Sequence, residues 1–418
     1  MTTVDVPAEL VRVPAEVKRE RILGVVYLIL AAIVAFFFAM GSEGDATFRL
    51  GEAGQDIDLT FSAAGFSWVV SAIFAFLAVI HLTRGIGKKS NLVLSIALVL
   101  FAFAFLAWAA AGSSFSLLGM LRTTVSAATP IAFGALSGVL CERVAVINIG
   151  IEGMLLTGAF MSALVGTVTN PWVGLLAAAL SGGVLALGLA VLAIRYRVDQ
   201  IIAGVVINIF ALGLTSFLSS QILVENPDRF NRPGVLQAFR IPLLADIPVI
   251  GPILFNQNIF VYALWISVAL TAYGLFRTRW GLRARAVGEH PKAADTLGVN
   301  VYRMRYLNVL LGGLVAGFGG AYFTLGSVGA FNENMTAGRG FIGLAAMIFG
   351  RWHPVGALAA ALVFGFADSL QVRLGILDVG IPSDFLLMAP YLVTIIVVAG
   401  VVGRARPPAA DGQPYVKE

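Results

Sequence analysis

The sequence predicts an all-α integral membrane protein with about 10–12 transmembrane helices. Three observations carry this reading. Hydrophobic side chains make up 59% of the 418 residues and charged ones only 12%, with a mean hydropathy of +0.90, far outside soluble composition. Apolar runs of roughly 20 residues recur along the chain, each long enough to cross a ~30 Å hydrocarbon core as a helix. The basic residues, finally, are shared unequally between alternate connections.

The apolar windows fall near 22–41, 62–82, 92–112, 117–140, 146–168, 172–194, 201–222, 258–276, 305–325, 338–350, 353–373 and 383–403. The window 338–350 is too short to span comfortably, so it reads as a half-helix or re-entrant piece. With a cytoplasmic N-terminus, Lys and Arg gather on that side before the first span, at 84–89, at Arg143, Arg195 and Arg197, through 277–305, at Arg351 and in the tail. The opposite side holds Arg49, Arg122, Arg229, Arg232, Arg240, Arg339 and Arg373. This positive-inside bias puts both termini and the polar island 277–305 in the cytoplasm of a multi-pass protein of the cell membrane. The net charge of +5 then follows from topology and calls for no nucleic-acid partner. The first 21 residues carry both signs of charge, and the run 22–40 is longer than a signal-peptide core, which predicts an uncleaved anchor helix.

Residues 1–112 read as an extension of about three transmembrane helices, an accessory bundle with an acidic connection at 42–61. From 113 to 403 the texture changes. Small residues crowd the spans, as in AATPIAFGALSGV at 127–139, and let helices approach closely where packing must supply the association energy. In VINIGIEGMLLTGAF (146–160), Asn148 and Glu152 stand four apart, which on a continuous helix places them on one face. A carboxylate in hydrocarbon is costly, so Glu152 must face protein, water or a partner. Either it pairs near the interface with Arg143 or a loop, or it shapes a gate. Asp199 is placed to cap the following helix, and Asn208 within that helix is either an interhelical hydrogen bond or a pathway contact. The proline-rich connection 223–258 is a docking surface or a solvated linker. Asn334, Thr336 and Arg339 stand at the mouth of the short window, where the arginine either snorkels or serves binding or gating.

Two eight-residue stretches, VGLLAAAL at 173–180 and VGALAAAL at 355–362, differ at one position. Under the predicted topology they run in opposite directions, so they suggest an inverted internal repeat, whose interface would hold a transport path. Chance similarity between Ala/Leu-rich helices is the other reading. No phosphate-binding loop, G-x-S-x-G or H-E-x-x-H occurs. Cys141 is alone, and His81, His290 and His353 make no ligand spacing, so neither a metal site nor a catalytic role is expected. The chain describes a membrane path without an engine of its own.

Within the island, Lys292-Ala293-Ala294-Asp295-Thr296-Leu297-Gly298 resembles the E-A-A-x-x-x-G signature of ABC importer permeases, with Lys in place of Glu. The wider stretch GLRARAVGEHPKAADTLGVNV is similar to the branch that carries simple sugars, nucleosides and branched-chain amino acids, as are the blocks at 142–160, 197–217 and 334–357. The resemblance covers about 117–403 and tilts towards the nucleoside-type subgroup. It implies a permease subunit that binds no cofactor itself. ATP would be used by a separate ABC ATPase subunit, with a second permease, the same or paralogous, alongside and an extracytoplasmic solute-binding protein above. It also implies that part of the island is a coupling helix lying in a cleft on the ATPase. Pro291 suits a first helical turn, Ala293 and Ala294 give propensity and a small face, and Gly298 ends it. Arg283, Arg285 and Glu289 flank it as register-setting charges, and residues 404–418 form a cytoplasmic tail. Asn148, Glu152, Asn208, Asn334, Thr336 and Arg339 are the candidates for the path or its gate. The alternative is a stand-alone secondary transporter or channel with Glu152 and Asp368 carrying protons.

Overall fold

The computed structural model describes residues 14–51, 57–377, 388 and 406–417. Among these residues, ten helices are long and apolar enough to cross a membrane. The window at 383–403 lies outside the described residues. The chain divides into two compact units, residues 1–119 with 373–381 and residues 120–372 with 382–418.

The smaller unit is built on α1 (Pro14–Ile33), α2 (Ala63–Thr83) and α3 (Ser90–Ala109). Tyr27, Val34, Phe38, Val70, Phe74, Ala97 and Ala104 form its core. The buried Glu20 carboxylate gathers four donors: His81 Nδ1 at 2.6 Å, Ser90 Oγ at 2.6 Å, and the Ile86 and Gly87 amides at 3.2 Å each. That fastening ties α1 to the turn between α2 and α3. The expectation of purely helical structure is corrected here. Strands β1 (Asp45–Arg49), β2 (Asp58–Ser62) and β3 (Ser114–Ser116) pair in the order β2-β1-β3. The alternation in Asp-Ala-Thr-Phe-Arg turns Ala46 and Phe48 inward, and Phe48 meets Phe61 edge-on at 5.2 Å. A search for runs of helix-spanning length passes over segments this short.

In the larger unit, α4 (Leu117–Glu142) is followed by α5 (Ile151–Val168), α6 (Pro171–Ala190) and α7 (Gln200–Leu218). Asp199 caps α7, accepting from Ile201 N at 2.9 Å and Ile202 N at 3.1 Å. The connection to the next span holds only short elements, namely α8 (Pro227–Phe230), β4 (Phe239–Arg240), α9 (Ile250–Leu254) and β5 (Asn256–Gln257), as its prolines require. The remaining helices are α10 (Ile259–Arg277), α11 (Arg279–Glu289), α12 (Pro291–Thr296), α13 (Val301–Phe323), α14 (Arg339–Phe349) and α15 (Pro354–Leu377). At 11 residues, α14 is roughly 16 Å long, about half the hydrocarbon thickness.

Glycines bring α5, α6 and α13 together at backbone distance. A Cβ at Gly182 on α6 would stand 2.6 Å from the Gly317 Cα on α13, and one at Gly158 on α5 would overlap the Gly317 carbonyl. Such contact supplies dispersion where no hydrophobic force separates helix from lipid.

Asn148 and Glu152 do not share a helical face, contrary to the sequence expectation. Helix α4 ends at Glu142 and α5 begins at Ile151, and Ala145 between them is left-handed at φ 62°. The freed backbone groups are taken up from α7: Gln200 Oε1 accepts from Ile147 N at 2.7 Å, and Asn208 Nδ2 donates to Ile149 O at 2.9 Å. Hydropathy alone does not register the break, because Val144, Val146, Ile147 and Ile149 are themselves apolar.

Gly317→Val should disrupt the junction of α5, α6 and α13 and destabilise the protein by about 2 kcal/mol. Thermal unfolding of the detergent-solubilised chain measures this; an unchanged midpoint would show that the helices can separate without loss.

Candidate functional site

Helix α14 starts inside the larger unit with Gly338 as its N-cap at φ +80°. Its first amides need acceptors. Glu152, in the first turn of α5 and 8% exposed, supplies them. Oε1 accepts from Thr336 Oγ1 at 2.6 Å and from Gly338 N at 2.8 Å, while Oε2 accepts from Gly340 N at 2.6 Å. A carboxylate at a helix N-terminus also meets the positive end of the helix dipole. A Cβ at Gly340 would stand 2.6 Å from the Glu152 Cα, so α14 can approach α5 this closely only through glycine. Beside this cradle, the Arg339 guanidinium lies 3.5 Å from Asp368 Oδ2 on α15 and 5.9 Å from the centre of the Phe323 ring. Asn231, which the sequence did not single out, holds the approach to the cradle: it donates to Phe331 O at 3.0 Å and accepts from Phe331 N at 2.6 Å.

The structure therefore brings Glu152, Thr336 and Arg339 together around the start of α14. Asn334 lies in the preceding turn at φ 51°, its side chain exposed and its carbonyl accepting from Ala337 N at 3.0 Å. Asn148 and Asn208 lie apart. Asn208 clasps the start of α5, accepting from Gly153 N at 2.8 Å. Asn148 is wholly buried, with Nδ2 3.4 Å from Ser137 Oγ and Oδ1 unpartnered.

The segment 277–305 folds as three linked pieces. Thr278 caps α11, accepting from Gly281 N at 3.2 Å. His290 caps α12 by accepting from Ala293 N at 3.3 Å, Pro291 takes the first helical position, and Gly298 turns left-handed at φ +83°. Asn300 then caps α13, accepting from Arg303 N at 2.9 Å. Ala294 is turned inward at 3% exposure, whereas Leu297 at the tip is 85% exposed. Ala293 is exposed, as is Arg283.

Helix α11 is bolted to the break between α4 and α5. Gly288 packs so closely on the Arg143 carbonyl that a Cβ would overlap it. Arg143 donates to Trp352 O at 2.9 Å and lies 5.4 Å from the centre of the Phe276 ring. Arg285 lies 5.1 Å from that same centre, and His353 stacks on the ring at 4.6 Å. Burial, and then the Arg143 charge, hold His353 below the ordinary histidine range. Glu289 accepts from Ala409 N at 3.2 Å. Helix α12 thus continues into α11, α11 packs on Arg143, and from Arg143 the chain itself leads through the 143–150 connection to α5 and Glu152.

A family profile described as "Branched-chain amino acid transport system / permease component" matches residues 120–402. The chain belongs to this family. Among its relatives is the guanosine ABC transporter permease protein NupQ of Bacillus subtilis, 44% identical over 309 residues that cover 71% of this chain and 96% of the relative. The nucleoside ABC transporter permease protein NupC of Lactococcus lactis is 43% identical over 69% of this chain and 94% of its own length. A putative glucose ABC transporter permease protein of Haloferax volcanii, TsgC13, is 36% identical over 61% of this chain and 77% of its own. No solved structure matches. The protein is a multi-pass ABC transporter permease of the cell membrane and is not itself catalytic. The family match begins at 120, so the three helices of the smaller unit lie outside it.

Glu152→Gln turns one acceptor into an amide donor facing amides, which should weaken the start of α14 by about 2 kcal/mol. Amide hydrogen exchange across 336–342 should quicken and transport should fall. Unchanged protection there would remove the role given to the carboxylate.

Proposed function

We propose that this permease forms half of the path of an ABC importer for nucleosides, and that α12 is its coupling helix. The observation that carries the reading is the packing of α11, next to α12, on Arg143 at the start of the short connection that leads to α5 and the Glu152 cradle. Two relatives, the guanosine permease NupQ and the nucleoside permease NupC, support a nucleoside over a sugar as solute. In this reading both termini and the segment 277–305 are cytoplasmic, where the positive-inside bias puts them. An ABC ATPase on a separate chain holds α12 in a cleft, a second permease completes the path, and a solute-binding protein delivers the solute from outside.

The mechanism is mechanical. ATP-driven closure of the ATPase pair displaces α12, and the short, buried connection through Gly288, Arg143 and the 143–150 turn moves the foot of α5 with it. Because Glu152 holds the first amides of α14, that half-helix must follow or lose charge-assisted hydrogen bonds. Arg339 at the start of α14 and Asp368 on α15, both half-buried, face the path on which the solute passes. Residues 1–112 serve as an accessory bundle, and the similar stretches in α6 and α15 belong to an inverted repeat. The competing idea, a stand-alone carrier with Glu152 as proton acceptor, fits less well. Both Glu152 oxygens already accept from three donors, and the family is one of ABC permeases.

Because Ala294 faces the core, Leu297 with Lys292, Ala293 and Thr296 is the surface an ATPase would meet. Leu297→Glu should leave insertion unchanged while ATPase capture and uptake fall about tenfold or more. The assay is energised uptake of labelled guanosine into vesicles holding the complete transporter, with glucose as competitor. Normal uptake in the variant would sink the coupling role, and uptake of sugar without nucleoside would sink the solute.

A further inference from the structure

The segment 406–417 has no helix or strand, yet it crosses five places in the larger unit. Ala409 N donates to Glu289 Oε2 at 3.2 Å and Ala410 N to Gly288 O at 3.0 Å, at the end of α11. Gly412, left-handed at φ +72°, packs on Ile147 in the break between α4 and α5. The carboxyl of Asp411 lies beside that of Glu142, the last residue of α4. Burial foremost raises the Asp411 carboxyl above its usual range. Arg305, only 1% exposed in the first turns of α13, donates to Gln413 O at 3.1 Å. Tyr415 is buried against Tyr302 with ring centres 5.3 Å apart, and the Tyr302 hydroxyl donates to the Tyr415 carbonyl at 3.5 Å. Lys417 Nζ reaches Asp295 on α12 at 3.4 Å. An open cleft of about 290 Å³ has Lys417 on one wall and Asp295, Gly298, Asn300 and Tyr302 on the other.

Three features of this placement go beyond a tail lying on a surface. Each of α4, α11, α12 and α13 receives at least one contact from 12 consecutive residues. Buried groups anchor it at Pro408, Ala410 and Tyr415 while the residues between them are exposed or half-exposed. And the segment supplies the buried Arg305 with its carbonyl partner, Gln413 O.

We propose that residues 406–417 act as a strap that clamps α11 and α12 onto α4 and α13, so that a displacement of α12 is carried to those spans. The proposal rests on α12 being the coupling helix. Helix α12 is a single short piece between two turns, so a push on it is absorbed by those turns unless something ties it to the spans. The strap provides that tie at Glu289, Asp295, Glu142 and Arg305. Its Lys417 wall also makes the cleft beside α12 partly its own.

The test uses the complete transporter in proteoliposomes, with ATP hydrolysis and solute uptake measured on the same preparation. The variants are a chain ending after residue 405, Tyr415→Ala, Tyr415→Phe and, as control, Leu297→Glu. In the truncated chain and Tyr415→Ala, the ATPase should remain bound and hydrolysis continue, while solute moved per ATP falls about tenfold. Tyr415→Phe keeps the ring against Tyr302 and should restore the ratio. An inserted truncated chain with an unchanged ratio overturns the strap. So does equal failure of the truncated chain and Tyr415→Ala to insert, since that marks a folding role only. If Leu297→Glu also leaves uptake intact, the coupling-helix reading has failed as well; if Leu297→Glu abolishes uptake while the truncated chain transports normally, only the strap has.

Discussion

A half-helix that begins inside a membrane protein has amides with no helical acceptor and no bulk water to satisfy them. In this protein one carboxylate meets that constraint. Glu152 receives the Gly338 and Gly340 amides and the Thr336 hydroxyl, and the rest of the larger unit is arranged so that it can. The glycines at 338 and 340 let α14 come to the carboxylate. The break before α5 puts Glu152 in a first helical turn, where its own side chain can reach across. Asn208 and Gln200 from α7 take up backbone groups the break exposes. A charge that would be costly in hydrocarbon is thereby the group that organises it.

The same break meets the segment 277–305 from the other side. Arg143, the first residue beyond α4, sits between the Phe276 ring, the Trp352 carbonyl and Gly288 of α11. Its guanidinium is shared between ring faces and carbonyls, partners that suit a planar, weakly hydrated cation. Glu152 lies nine positions further along the chain, so one irregular turn has α11 packed at one end and the start of α14 bonded at the other. A continuous helix through 142–152 would have left no such turn to move.

Rigidity elsewhere makes a local displacement meaningful. Helices α5, α6 and α13 touch backbone to backbone at Gly158, Gly182 and Gly317, and a junction without intervening side chains has few ways to deform. The half-helix α14 stands beside it, held by hydrogen bonds from one carboxylate. The larger unit thus sets a glycine-locked core beside a half-helix held by hydrogen bonds to one carboxylate.

Local chemistry made a good part of this legible in advance. The helix boundaries at Asp199, Pro291 and Gly298 follow from capping and turn rules that need only a few neighbouring residues. The short window at 338–350 was recognisable by length, and Glu152 by the cost of its charge. The relation of Asn148 to Glu152 was not, because a break in an apolar stretch leaves no mark in periodicity when the residues in it are themselves apolar. Nor did anything local announce the partners of Glu152 some 184 to 188 positions away, or the roles of Asn231 and 406–417. The membrane character, the count of spans to within one or two, and the polar island were determined by the sequence itself, since each depends on composition over a window. Which amides Glu152 satisfies, which face of α12 is exposed, and where 406–417 is anchored were decided only by tertiary structure. Hydrogen bonds between distant segments are fixed by how helices pack, and packing of one apolar face on another is written in no single stretch of chain.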